Sequence, residues 1–451
     1  MKRFILMLLM GSSIAVSAQK KDKTWRYLFN GKNLSGWKQI NGTAPYTVEN
    51  GVIVGTTVTG SPNSFLATEE TFGDFILEAE FKLDEGTNTG VQFRSESRPD
   101  YLNGRVFGYQ LEIDPTSRKW CGGIYDEARR QWLYPLEYNQ PAKNAFKNGV
   151  WNTLRIEALG TSLRTWINGV PCAQVEDDMS MRGFIALQVH SIGDPKDAGK
   201  KVWFKNIRIK TENLEPSPND QIFVLNLIPN SLNKQEEANG VTLLWNGTTP
   251  KQWRGAHKQN FPEKGWIVRD GTLTVQSSDG GESQNGGDIV SINEYAAFDL
   301  QFEFKMTPGA NSGVKYFVTE SEKNQGSAIG LEYQILDDEK HPDAKQGAAG
   351  NRTLASLYDL IPAEKNPRGL KKTGEWNQGR IVVYPDNKVE HWLNGYRVVE
   401  YVRGNNIYRA LVARSKYAQW EDFGMAEKGH ILLQDHGNEV SFRSIKIQLL
   451  K

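Results

Sequence analysis

Read for its hydrophobic and polar positions, the chain shows a period of two. In Phe298-Asp299-Leu300-Gln301-Phe302-Glu303-Phe304-Lys305 every second residue is apolar, and Val440-Ser441-Phe442-Arg443-Ser444-Ile445-Lys446-Ile447 alternates in part. Such alternation turns one face of a strand to a core and the other away from it. Asn-Gly and Asp-Gly pairs at Asn50-Gly51, Asn168-Gly169, Asp270-Gly271 and Asn394-Gly395 mark hairpin turns between these runs. No long stretch keeps a helical period. The pattern predicts an all-β chain of two-sheet antiparallel sandwiches of the jelly-roll kind.

The pattern also occurs twice. Leu28-Phe29-Asn30-Gly31 with Trp37 returns as Leu244-Trp245-Asn246-Gly247 with Trp253, and Asn88-Thr89-Gly90-Val91 as Asn311-Ser312-Gly313-Val314. Gly122-Gly123-Ile124-Tyr125-Asp126 returns as Ala355-Ser356-Leu357-Tyr358-Asp359, Trp166-Ile167-Asn168-Gly169 as Trp392-Leu393-Asn394-Gly395, and Leu187-Gln188-Val189-His190 as Leu433-Gln434-Asp435-His436. Collinear matches at similar spacing over a whole domain indicate a duplication, not a solenoid. The expected division is a first domain at 24–212, a linker at 213–240 and a second domain at 241–451. The linker opens with Pro216-Ser217-Pro218-Asn219 and holds an apolar run from Ile222 to Ile228, so it should dock one extra strand or helix on a domain.

The N-terminus reads differently. Lys2 and Arg3 precede a short apolar stretch ending in Val16-Ser17-Ala18, the form of a secretory signal over 1–18. The stretch is too short and interrupted to span a bilayer, and no other segment is apolar enough. An exported protein, periplasmic or secreted and without membrane insertion, is expected.

Charge narrows the partners. The chain has 54 basic and 53 acidic side chains, a net charge of +1, which gives no reason to expect nucleic acid. Its 13 Trp, 16 Tyr and 19 Phe suit sheet packing and the flat faces of sugar rings alike. The two cysteines, Cys121 and Cys172, form either one disulfide or two buried thiols, and neither has the close second cysteine that a Cys-based metal site needs. Trp151, Trp166, Trp376 and Trp392 recur at matched places beside turns and read as core.

Polar residues gather on particular strands. Glu332 and Gln334 share one strand face with Asp337 and Asp338 at its end and His341 just beyond, while Gln434 and His436 share another. In the first copy Gln110, Glu112 and Asp114 lie on one face and Gln188 and His190 on a second. One such strand is ordinary as a solvated face, or as buried groups that satisfy each other. The same alternation in several strands of both copies points to a concave binding face. His341, His391 and His436 lie beside the polar strands of the second copy, where His or carboxylate could act as a general base. With carboxylates nearby they could bind a divalent metal, but no HxH or HxxxH spacing points to one. Arg352 and Tyr358 could orient a polar substrate or pair structurally. No GxSxG, P-loop, HExxH or ExDxxE motif is present. A two-carboxylate glycosidase built on Glu332 with Asp337 or Asp338 stays open without a signature.

Together Asn311-Ser312-Gly313-Val314-Lys315-Tyr316-Phe317, Gly330-Leu331-Glu332-Tyr333-Gln334-Ile335-Leu336-Asp337-Asp338, Gly374-Glu375-Trp376-Asn377, Glu390-His391-Trp392-Leu393-Asn394-Gly395 and Leu433-Gln434-Asp435-His436-Gly437 resemble the 3-keto-disaccharide hydrolase-like family. The resemblance covers nearly all of the second copy, and a degenerate version covers the first. It implies two tandem concanavalin-A-like sandwiches and cleavage of glycosides oxidised to a ketone at sugar carbon 3. A ketone there acidifies the C2 hydrogen, so a base can remove it, the C1 substituent can leave, and water can add back. The resemblance places catalysis on His436, His391, Glu332 and Asp337, and substrate binding on Gln334, Gln434, His341, Arg352 and Tyr358. Arg352 or a bound cation would face the ketone oxygen.

The first copy departs from the family pattern. Gln110 and Glu112 stand where the second has Glu332 and Gln334, Thr165 replaces His391, and Arg94 replaces Phe317. It could be a second site, a binding module or a scaffold. Two rival functions remain at this stage: a non-catalytic carbohydrate-binding protein of the same fold, and an ordinary glycoside hydrolase.

Overall fold

The structure is a computed structural model that describes residues 24–278, 281–321 and 328–451. The leader expected over 1–18 lies outside the described residues. Four sheets form among them, two in each half, and the ladders are antiparallel except where Leu225–Asn226 joins Val170–Glu176. In the first half Phe75–Leu83 runs between Asn152–Leu159 and Lys201–Lys210. The facing sheet carries Thr89–Ser97 between Val106–Ile113 and Phe184–Val189. The second half repeats this: Phe298–Met306 lies between Asn377–Val383 and Val440–Leu449, opposite Asn311–Thr319 between Ile329–Leu336 and Gly429–Leu433.

The alternation in sequence becomes the core. Phe298, Leu300, Phe302 and Phe304 point inward and are buried. Phe302 meets the Tyr333 ring of the facing sheet edge-on at 5.3 Å, and Phe298 meets Tyr316 at 6.4 Å. Each such side chain contributes about 1.5–3 kcal/mol over leaving it exposed. The Asn-Gly and Asp-Gly pairs all adopt positive φ at both residues, from Asn50 (50°) and Gly51 (81°) to Asn394 (48°) and Gly395 (86°). This is the type I′ geometry whose twist matches that of the strands it joins.

Arg94 and Phe317, which differ between the copies, share a place at a break in strand register and share a positive φ, 46° and 52°. Each sits in a β-bulge. Arg94 is enclosed there and donates to the carbonyls of Gly73 (2.9 Å) and Gly160 (2.7 Å), while Phe317 lies under the Arg403 guanidinium at 3.8 Å. The substitution exchanges one bulge support for another.

The segment between the copies contributes both a strand and a helix. Leu225–Asn226 extends a sheet of the first half, and Asn233 caps the helix Lys234–Ala238 through a reciprocal bond pair with Glu236. Glu236 also accepts from Asn226 (2.8 Å) and pairs with the buried Lys446 of the second half. Nearby, Tyr138 stacks between Phe223 (4.6 Å) and Trp392 (5.7 Å). Trp166 and Trp392 are buried, but Trp151 and Trp376 are only half-buried, which corrects their reading as core. Lys82 and Lys205 cover the first of these rings, and Lys305 and Arg443 the second. Cys121 and Cys172 are separate buried thiols.

Candidate active site

In the five-stranded sheet of the second half, the face turned away from the core is charged. Register places Lys315 opposite Glu332 and Gly313 opposite Gln334, and Gln434 bonds through its backbone to Gly313. All four side-chain-bearing positions are buried. Gly313 must lack a side chain, because a Cβ there would lie 2.4 Å from a Glu332 carboxylate oxygen. Gly90 plays the same part under Gln110 in the first half.

Two loops complete the cluster. The segment at residues 281–288 brings Glu282 to accept from Gln434 Nε2 at 2.9 Å, and ends in the buried Asp288. Lys315 Nζ stands 3.7 Å from Glu282 and 3.8 Å from Asp288. The excursion at residues 403–428 brings Lys416 over the Tyr358 ring at 4.2 Å, where its charge reaches Glu332 and Glu282. His436 acts on the same two carboxylates, and its ring stands perpendicular to His341 with centroids 6.1 Å apart.

Burial sets the electrostatics. It raises the Glu332 carboxyl above its ordinary range, only partly offset by Lys315 and Lys416. It pushes Asp288 up to about 7 against the pull of Lys315. It pulls the Lys315 ammonium down, but Asp288, Glu332 and Glu282 outweigh it and hold the group above the usual lysine value. Glu282 stands exposed at the rim, and its partial desolvation is outweighed by Lys315, His436 and Gln434, so the carboxyl lies below its ordinary value. Burial and the neighbouring His436 hold His341 below the usual imidazole range. One acid thus tends to keep its proton beside another that releases it, the arrangement from which acid and base roles are drawn.

The residues singled out in sequence separate accordingly. Glu332, Gln334, Gln434, His341, His436 and Tyr358 gather at this face. His391 does not, which corrects its assignment as a base. It is fully enclosed between the sheets, bonded to the Ala355 carbonyl (3.0 Å) and the Tyr316 hydroxyl (2.9 Å), and burial pushes it down to about 4. Thr165 in the first half bonds the matching Gly122 carbonyl, so both side chains pin the same loop. Asp337 is corrected likewise: it accepts from the backbone of Gly309 (2.7 Å), Glu339 (3.1 Å) and Lys340 (3.2 Å) and shapes the turn before His341. Asp338 is held by Lys365 and the Leu354 amide, so neither residue pairs with Glu332 as a second catalytic carboxylate. Arg352 is neutralised by Asp343 (3.0 Å) and Asp359 (2.7 Å), and Tyr358 donates to Asp343. That compensation takes Arg352 out of the role of facing a ketone oxygen.

Lys315, Glu282, Asp288 and Lys416 were missed in sequence. Lys315 alone had a signal, a charge inside an otherwise apolar strand. Among the described residues no three His, Cys, Asp or Glu side chains converge to hold a metal ion, and His341 with His436 supply only a pair of rings.

The first half holds a neutral counterpart. Ser95 donates to Gln92, Gln92 to Gln110, and Gln110 with Asn88 to Glu112. Asp114 is tied to Arg118 (2.6 Å), and His190 lies on the rim, bonded to the Ser191 carbonyl. Burial pushes Glu112 up to about 8 despite the donors on it. In the unfolded chain it titrates near ~4.3, so the native state holds its proton longer and loses stability as pH rises between those values. Glu112→Gln is therefore expected to flatten the decline in melting temperature from pH 5 to pH 9, measured by calorimetry at matched ionic strength. An unchanged slope would remove Glu112 as its source.

The fold and site define a tandem β-sandwich protein with a buried carboxylate–lysine cluster flanked by histidines. The model of the 3-keto-alpha-glucoside-1,2-lyase-like domain family matches residues 24–210 and 240–448, and the chain belongs to that family. A 3-keto-disaccharide hydrolase of Bacteroides thetaiotaomicron is 36% identical over 241 residues, covering 49% of this chain and 82% of the relative. A solved Parabacteroides distasonis structure, provisionally assigned as a glycosyl hydrolase, is 28% identical over 49% of this chain and all of its own length, with a TM-score of 0.43. A second from the same organism is 26% identical over 47% of this chain and 99% of its own, with a TM-score of 0.34.

Proposed function

We propose that the second half, residues 241–451, cleaves glycosides carrying a ketone at sugar carbon 3. The observation that carries this reading is the buried Glu332–Lys315–Asp288 cluster, with Glu282 at its exposed rim and His341 and His436 beside it on one sheet face. Family membership and the name of the Bacteroides relative favour the same chemistry. His436 takes the C2 proton, acidified by the adjacent ketone. The electron pair forms a C1–C2 double bond as the C1–O bond breaks, and Glu332 gives its proton to the departing oxygen. The Lys416 ammonium faces the enolate oxygen and stabilises its charge. Addition of water across the double bond completes hydrolysis, whereas release before hydration makes the enzyme a lyase. Residues 1–18 direct this activity outside the cytoplasm, and residues 24–212 form the companion domain.

The test incubates the full chain with a 3-keto-glucoside and with its unoxidised parent, and measures the freed alcohol. Release from the ketone alone is expected. Equal release from both, or from neither, would sink the proposal.

A further inference from the structure

A wide open concavity lies on the other half. A cavity of about 880 Å³ covers the outward face of the seven-stranded sheet, lined by Gln110, Glu112, Gln188, Phe65 and Trp132, with Arg368 reaching in from the second half. The second half covers the matching face with its own chain, through residues 281–288 and the excursion at residues 403–428, which bring Glu282 and Lys416 over it. The corresponding connections in the first half, residues 57–63 and 177–183, are short and leave the face open.

The residues beneath differ in kind. Register sets Gln92 where the second half has Lys315, Gln110 where it has Glu332, and Phe65 where it has Asp288. At these three positions charge is replaced by amides and an apolar ring, while the charges at the cavity wall are paired, Arg105 with Glu127 and Arg118 with Asp114. Gln434 gives its amide to Glu282 at 2.9 Å, but its counterpart Gln188 is fully buried and neither its Nε2 nor its Oε1 has a partner among the described residues. A buried amide with both ends unmet calls for a group that donates and accepts at once, as a hydroxyl does. Trp132 at the wall and Phe65 at the floor offer apolar surface to the C–H face of a ring. Glu112, pushed up to about 8, adds a second group able to donate or accept at neutral pH.

We propose that the first half binds neutral sugar without cleaving it, through Gln188, Gln110 and Trp132, and that Arg368 of the second half completes the rim. His190 at the rim answers to His436, but Lys315 and the second ring, His341, have no equivalents on this face. Arg368 is exposed and makes no side-chain hydrogen bond or ion pair among the described residues, so it is free to meet a ligand hydroxyl. This inference stands apart from the catalytic reading of the second half.

The test exposes the full chain to an array of neutral gluco-, xylo-, manno- and galacto-oligosaccharides, then measures the strongest binder by calorimetry. Gln188→Leu and Trp132→Ala are each expected to weaken binding about tenfold, and the surface change Arg368→Ala a few-fold, as loss of one or two hydrogen bonds or a ring contact would. A chain carrying His436→Ala and Glu332→Gln together should bind as the parent does. Absence of any neutral binder on the array overturns the proposal. So does affinity unmoved by Arg368→Ala and by the two inner variants at unchanged melting temperature, or binding lost in the double variant.

Discussion

His436→Ala is expected to lower turnover of a 3-keto-glucoside by about 10²–10⁴-fold, the usual contribution of a positioned general base. The ring is partly exposed beside Glu332 and Glu282, so its removal should leave the melting temperature nearly unchanged. His391→Ala should behave in the opposite way. It empties a site between the sheets and orphans the Ala355 carbonyl, so the melting temperature falls while the cluster keeps its chemical groups. Glu332→Gln supplies a further distinction. If Glu332 protonates the departing oxygen, the variant is slow on alkyl 3-keto-glucosides and close to normal on nitrophenyl ones, whose leaving group needs no proton. Equal turnover by the His436→Ala variant and the parent would move the base elsewhere.

Lys315→Met is expected to destabilise the second half by about 3–5 kcal/mol, as removal of one partner from a buried ion cluster does. Asp288 and Glu332 are both buried and both already raised by desolvation, with Lys315 the leading influence against that rise. Without the ammonium their folded values rise further from those of the unfolded chain. A carboxyl raised in this way costs stability as pH climbs through the window between its two values, and the cost vanishes when both states are protonated. The deficit should therefore be larger at pH 8 than at pH 5. Scanning calorimetry at the two pH values measures it, and a deficit that grows toward acid pH would show that Lys315 is not the counter-ion.

How far the sequence could be read depended on how local each determinant is. Hairpins appeared at Asn50-Gly51 and Asn394-Gly395 because type I′ turns require residues that tolerate positive φ, and that requirement is written in two adjacent positions. Strand faces appeared because their period is two. His391 shows the limit of reading by residue type: its neighbours two places away are Val389 and Leu393, both buried, so alternation already put it on the inward face. A histidine there attracted a catalytic role that its position denied. Asp337 misled for a related reason, since a carboxylate at a strand end serves a turn as readily as a substrate. Glu282 and Lys416 were illegible because each lies on a loop much longer than its counterpart in the first copy. Only the folded path of those loops brings them over the sheet.

Glu236 joins three parts of the molecule: a strand laid on the first half, the helix that follows, and Lys446 in the second half. With the Phe223–Tyr138–Trp392 stack, it makes the connection a weld instead of a leash. Neither half is then a portable module, because excision would take Glu236 from the buried Lys446 and bare the stacked rings. The weld also fixes how the two faces cooperate. A glycan chain held by the first half would present its neighbouring residues to the second at an effective concentration set by the geometry of the join, not by the length of a tether.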